Sequence, residues 1–149
     1  MGVLFEQVKG CFAELGWPFH EVTGQDILTI PYEGDGGPGV LVATVGEEHR
    51  ILTVFARAPF DCPPERRGSL GEFITRANYA MTHGGFDLDL DDGEIRFKTG
   101  SDLANLPFEA ASLQARAGYA VASMDFYLPA LRAVVEGSDP RQSLEALFS

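Results

Sequence analysis

Phe86-Asp87-Leu88-Asp89-Leu90-Asp91-Asp92-Gly93-Glu94-Ile95-Arg96-Phe97-Lys98 is the stretch on which the fold turns. Phe86, Leu88 and Leu90 alternate with Asp87, Asp89 and Asp91; beyond Asp92-Gly93, Ile95 and Phe97 alternate with Glu94, Arg96 and Lys98. A period of two puts apolar side chains on one face of a strand and charges on the other, and Asp-Gly suits the φ > 0 of a tight reversal. The pattern predicts an antiparallel hairpin with one face buried and one wet. Upstream, Ile27 to Tyr32, Val40 to Val45 and Ile51 to Ala56 are short β-rich runs, separated by Gly34 to Gly39 and Gly46 to His49. Such short connections favour further hairpins. The last two runs are apolar at nearly every position, so a cover is expected on the second face of the sheet as well.

Helical patterns flank these strands. Leu4, Val8, Cys11, Phe12 and Leu15 fall on one helical face, which Gly16 and Pro18 then stop. Pro64 opens a second helix, expected to reach about Thr82, with Leu70, Phe73, Ile74, Ala77 and Met81 as its core face. After Pro107 comes a long helix with the stripe Leu113, Ala117, Ala120, Val121, Met124, Leu128 and Leu131. Pro129 cannot donate to the Asp125 carbonyl and is expected to kink or break it. Asp139 as cap, Pro140 at the first position and Gln142 three after the cap announce a short final helix. The expected fold is α+β, an antiparallel sheet of about five to six strands flanked by helices, in a single domain over residues 1–149.

The chain has 149 residues, 45% hydrophobic and 22% charged, ordinary values for a globular domain with a packed core. Its 22 acidic and 11 basic side chains give a net charge of -11, which opposes binding to nucleic acid or to an anionic membrane surface. No apolar run approaches the roughly 20 residues of a membrane helix. Glu6, Lys9 and Glu14 interrupt the first segment, so no secretory leader is expected there, and Glu6 spoils a myristoylation match at Gly2. A cytoplasmic location follows as the expectation, with Cys11 and Cys62 as free thiols.

Most constellations carry no chemistry. Aligned with a calcium loop that starts at Asp87, Asp92 occupies the glycine position and Lys98 the place of the bidentate Glu. Glu33 to Gly39 leads into a strand instead of a helix and lacks a nearby cation, which leaves a mobile hairpin connection where a phosphate loop would need amides and countercharge. His20, His49 and His83 have no partners at zinc spacing, and Ser69, Ser112 and Cys62 sit in no nucleophile motif. No metal, no cofactor and no catalytic residue is therefore expected. The second helix is more telling: opposite its core face lie Glu72, Thr75, Arg76, Tyr79 and His83, the composition of a contact surface. The other reading has Tyr79 packed under the C-terminal segment. From Arg50 to Arg76 five arginines face Asp61, Glu65 and Glu72, a basic stretch in an acidic molecule that would orient an acidic partner or satisfy neighbouring carboxylates.

Pro64-Glu65-Arg66-Arg67, Glu72 to Tyr79, Gly84-Gly85-Phe86-Asp87-Leu88, Asp92 to Phe97, Met124-Asp125 and Tyr127 to Leu131 follow in an order that resembles the YbjN-like family of bacterial sensory transduction regulators. The resemblance implies a fold similar to type III secretion chaperones, a tendency to dimerise and no established catalytic residues. Thr75-Arg76 stands where the family has Asn-Arg, on the surface of interest. Two functions remain open. One is a non-enzymatic regulatory, adaptor or chaperone-like protein that binds a protein or peptide partner, with Arg76, Tyr79 and Glu72 as candidate contacts; the alternative is a small-molecule sensor or enzyme with a pocket built from scattered residues. Two strands apolar on both faces and a long Ala-rich helix add the expectation of a homodimer.

Overall fold

The computed structural model describes residues 2–149, and its first helix, α1 (Val3–Glu14), forms where the apolar spacing places it. Leu4, Val8, Cys11 and Phe12 are buried together with Phe5, and Gly16 turns the chain away at φ +73. Gly2 offers α1 no side-chain cap; instead the two Glu47 carboxylate oxygens accept from the Leu4 and Phe5 N–H groups at 2.9 and 3.1 Å. A carboxylate at this end also meets the positive pole of the helix.

Six strands follow: β1 (His20–Glu21), β2 (Ile27–Gly34), β3 (Gly37–Gly46), β4 (Ile51–Arg57), β5 (Gly85–Leu88) and β6 (Ile95–Asp102). Every neighbouring pair is antiparallel, in the order β1-β2-β3-β4-β6-β5. With α2 (Arg67–Asn78), α3 (Ala110–Val135) and α4 (Pro140–Ala146), this is the expected α+β architecture. Leu28, Ile30, Leu41, Ala43, Val45, Leu52, Val54, Ala56, Ile95 and Phe97 point to one side and join Phe73, Ala117, Met124 and Leu131 of the helices in a single core. The Asp139 carboxylate caps α4 by accepting from Gln142 N–H at 2.9 Å, with Pro140 at the first position. Both cysteines are buried and free.

Several local expectations are corrected. The β5–β6 connection is no two-residue Asp-Gly reversal: only Gly93 has positive φ, Gly93 N–H donates to Asp89 O, and Leu90 leaves the apolar face to stand 68% exposed. A Cβ at residue 93 would run into the Cys62 carbonyl, so close approach fixes this glycine as much as φ does. The Gly-rich connection is no loose loop either; the β2–β3 ladder closes at Gly34↔Gly37, and a Cβ at Gly34 or Gly36 would touch Asp125 or Leu128 of α3. Helix α2 begins after a 3-10 turn at Pro64–Arg66 and ends at Asn78, short of Thr82, leaving Met81 half-buried. The long helix starts at Ala110, three residues after Pro107, and runs unbroken through Pro129. Pro129 sits on the exposed side of α3, where a carbonyl deprived of its amide is open to water.

Candidate interaction surfaces

Glu72, Arg76 and Tyr79 lie together on the outer face of α2, opposite buried Phe73, Ile74 and Ala77. Arg76 Nε donates to Glu72 Oε2 at 2.9 Å, an exposed i, i+4 pair that lines the guanidinium up along the helix. Tyr79 is 93% exposed, which excludes its packing under the C-terminal segment. His83 does not belong to this face. Because α2 ends at Asn78, the chain turns back and His83 meets Tyr119 of α3 edge-on, with ring centroids 6.1 Å apart.

Beside exposed Tyr79, Asn78 points inward and does a structural job that the sequence pattern did not signal. Its Oδ1 accepts from Phe86 N–H at 2.8 Å and its Nδ2 donates to Phe86 O at 3.0 Å. The side-chain amide thus imitates a neighbouring strand and occupies the outer edge of β5, where an unpaired ladder would invite another chain.

The opposite face of the sheet is the larger surface, and it corrects the expectation of cover on both sides. Register places Thr29, Val42, Phe55 and Lys98 in one cross-strand row and Pro31, Val40, Arg57, Arg96 and Asp87 in the next. None of these side chains is buried, and Val40 and Ile51 are 40% and 45% exposed. The β2–β4 end is apolar. The β6 end is charged: Asp87 receives Arg96 at 3.2 Å and Lys98 at 2.9 Å, Arg57 lies 3.7 Å from Glu94, and the Arg96 guanidinium rests 4.7 Å over the Phe55 ring. Two of the five arginines in the basic stretch, Arg57 and Arg76, pair with carboxylates, whereas Arg50, Arg66 and Arg67 donate to backbone carbonyls. The stretch is largely structural.

Other candidate groups are quiet. Burial pushes both the Cys11 and Cys62 thiols up, away from the reactive thiolate. In the acidic connection, Asp89 Oδ1 accepts from Asp91 N–H and Asp92 Oδ1 from Glu94 N–H, both at 2.8 Å, so turn amides engage these carboxylates. Among the described residues no helix is long and apolar enough to cross a membrane.

The sequence pattern of the YbjN family, described as "Putative bacterial sensory transduction regulator", matches residues 5–127. The chain belongs to the YbjN family. Two solved structures share the fold. One is a chain in the crystal structure of the ExsC–ExsE complex, 12% identical, with a TM-score of 0.61, over 93% of this chain and 100% of that one. The other is YbjN from E. coli, 10% identical, with a TM-score of 0.58, over 91% and 96%. This YbjN-family chain thus shares its fold, the six-stranded antiparallel sheet with its helices, with both structures. No curated protein matches the chain.

Proposed function

We propose that this YbjN-family protein is a cytoplasmic, non-enzymatic regulatory adaptor that acts through protein–protein contacts as a homodimer. The observation that carries the reading is the uncovered sheet face, with Val40, Val42, Ile51 and Phe55 on one side of the antiparallel β3–β4 pair. Long-lived interfaces between copies are the more apolar kind, and transient ones are more polar. The sheet face therefore suits a second copy of the chain, since its basic Arg57, Arg96 and Lys98 are already balanced by Glu94 and Asp87 on the same face and leave the apolar rows to make the contact. The smaller face of Glu72, Arg76 and Tyr79 suits a partner protein, because a rigid aromatic beside an arginine supplies contact area with little ordering cost. That a similarly folded chain occurs in the ExsC–ExsE complex supports a protein partner as the ligand class. The test is light scattering across the micromolar range for the wild type and Val42→Arg, with Tyr79→Ala as the control that leaves self-association unchanged. Dimeric wild type and monomeric Val42→Arg are expected; a wild type that is monomeric throughout removes the reading.

A further inference from the structure

Every arginine but one has its buried polarity accounted for. Arg57, Arg76, Arg96 and Arg141 reach carboxylates; Arg50, Arg66 and Arg67 donate from Nε to backbone oxygens at 2.8 to 3.0 Å; Arg132 stacks over Phe60 at 4.6 Å. Arg116 on α3 is the exception. Its Nη1 donates to Thr99 Oγ1 at 3.0 Å and to Gly100 O at 3.1 Å, which fixes the guanidinium against β6. Its Nε, by contrast, is buried without an acceptor, and among the described residues Arg116 has no ion pair. Asp102 and Glu109 line a second hollow that Arg116 also borders, yet neither pairs with it. Nε–H and the Nη2 amine form the edge of a guanidinium that takes a carboxylate side-on, so the free edge is the one fitted to a planar oxyanion.

Arg116 also lines a cavity of about 290 Å³ with His83, Thr99, Ser112, Ala115 and Tyr119. No carboxylate lies in that lining. Tyr119 and His83, edge to face, make an aromatic wall, and Ser112 adds a hydroxyl. An unsatisfied buried N–H in a native fold calls for a cause, and this guanidinium is anchored through Nη1 while its Nε–H has no acceptor within the protein.

We propose that this cavity between β6 and α3 binds a small organic carboxylate, its oxygens on Nη2 and Nε of Arg116 and its body against Tyr119. The site is distinct from both protein-contact surfaces and does not depend on dimerisation. It gives the chain a place at which a small acid bears on β6, the strand whose opposite face carries Arg96 and Lys98. Seating the acid on Nε requires a small movement of the lining side chains, since Nε is closed to water.

The test is a nitrogen–proton NMR titration of the whole protein with benzoate and acetate, with benzamide and acetamide as uncharged counterparts and inorganic phosphate as a separate arm. Saturable shifts with benzoate are expected at the Arg116 Nε–H, Gly100 and Ala115 signals, with benzamide at least tenfold weaker. Arg116→Lys keeps the charge, loses the fork and is expected to weaken benzoate at least tenfold. Direct shifts in the wild type report on the site whether or not that variant folds. Linear, unsaturated shifts, equal binding of acid and amide, or saturation with phosphate alone would each overturn the assignment.

Discussion

Replacing Asn78 by Ala removes both hydrogen bonds that join the end of α2 to the outer edge of β5, at 2.8 and 3.0 Å. The two backbone groups left behind belong to Phe86, which is 3% exposed and stacks edge-on against Phe97 at 5.0 Å. A typical intramolecular hydrogen bond contributes about 1 kcal/mol net, and a buried group left unsatisfied costs about 1 to 3. The β5 edge admits some water once the amide is gone, so the lower end applies to each bond and the expected loss is about 2 kcal/mol. That is a large share of the roughly 5 to 15 kcal/mol that holds a domain together. Asn78→Asp keeps the acceptor for Phe86 N–H but turns the donor into a second oxygen facing Phe86 O, and is expected to lose at least the donor's share. Urea unfolding measures both losses, and amide exchange at Phe86 locates them. A cost below about 0.5 kcal/mol for Asn78→Ala with unchanged Phe86 exchange would refute the claim that this side chain closes the sheet edge.

Tyr79→Ala should cost well under about 1 kcal/mol in urea, whereas burial would have made it roughly 3 to 5; with Arg76→Ala it is expected to weaken partner binding and spare folding. Pro129→Ala returns an amide to the Asp125 carbonyl and is expected to stabilise the protein by about 1 to 2 kcal/mol, the helix penalty of about 3 being partly offset by a more flexible unfolded chain. Burial, with the Asp125 charge nearby, pushes the Tyr32 phenol up to about 12 from its usual 10.0. The folded state therefore holds the proton more tightly than the unfolded one, so this contribution is complete below pH 10 and is lost as pH rises toward 12. Burial also raises the Tyr127 phenol, so phenolate absorbance should keep a late component in Tyr32→Phe but lose the Tyr32 share of it, with a shallower alkaline loss of stability in that variant.

Signals confined to a few neighbouring residues were legible in the sequence. The apolar spacing of α1, the Asp139-Pro140 start of α4 and the alternation across β5 and β6 all rest on contacts or caps within a turn or a strand. The outer face of α2 was legible for the same reason, because helical geometry sets Glu72, Arg76 and Tyr79 opposite Phe73 and Ile74. Partners far away in the chain were not. Glu47 caps a helix through the Leu4 amide 43 residues earlier, and Arg116 depends on Thr99 of another element. His83 was misplaced because α2 stops at Asn78, whose side chain is taken by Phe86 instead of continuing the helix. Strands apolar at nearly every position suggested two covered faces, yet Val42 and Phe55 shelter one another across strands, and Arg96 lies over Phe55, so the exposed face is partly shielded by its own rows.

The most direct test of the interface is the mass of the protein in solution, measured by sedimentation equilibrium over a hundredfold dilution, with Val42→Arg measured beside it. Val42 is half-buried between Thr29 and Phe55 of the neighbouring strands, so urea unfolding of Val42→Arg accompanies the mass measurement and confirms that the variant is folded. Twice the 16.1 kDa chain mass for the wild type, falling to the single-chain mass in Val42→Arg, is the predicted result. A wild type at the single-chain mass at every concentration, or a Val42→Arg variant that dimerises like the wild type, would contradict the assignment of the open sheet face to a second copy.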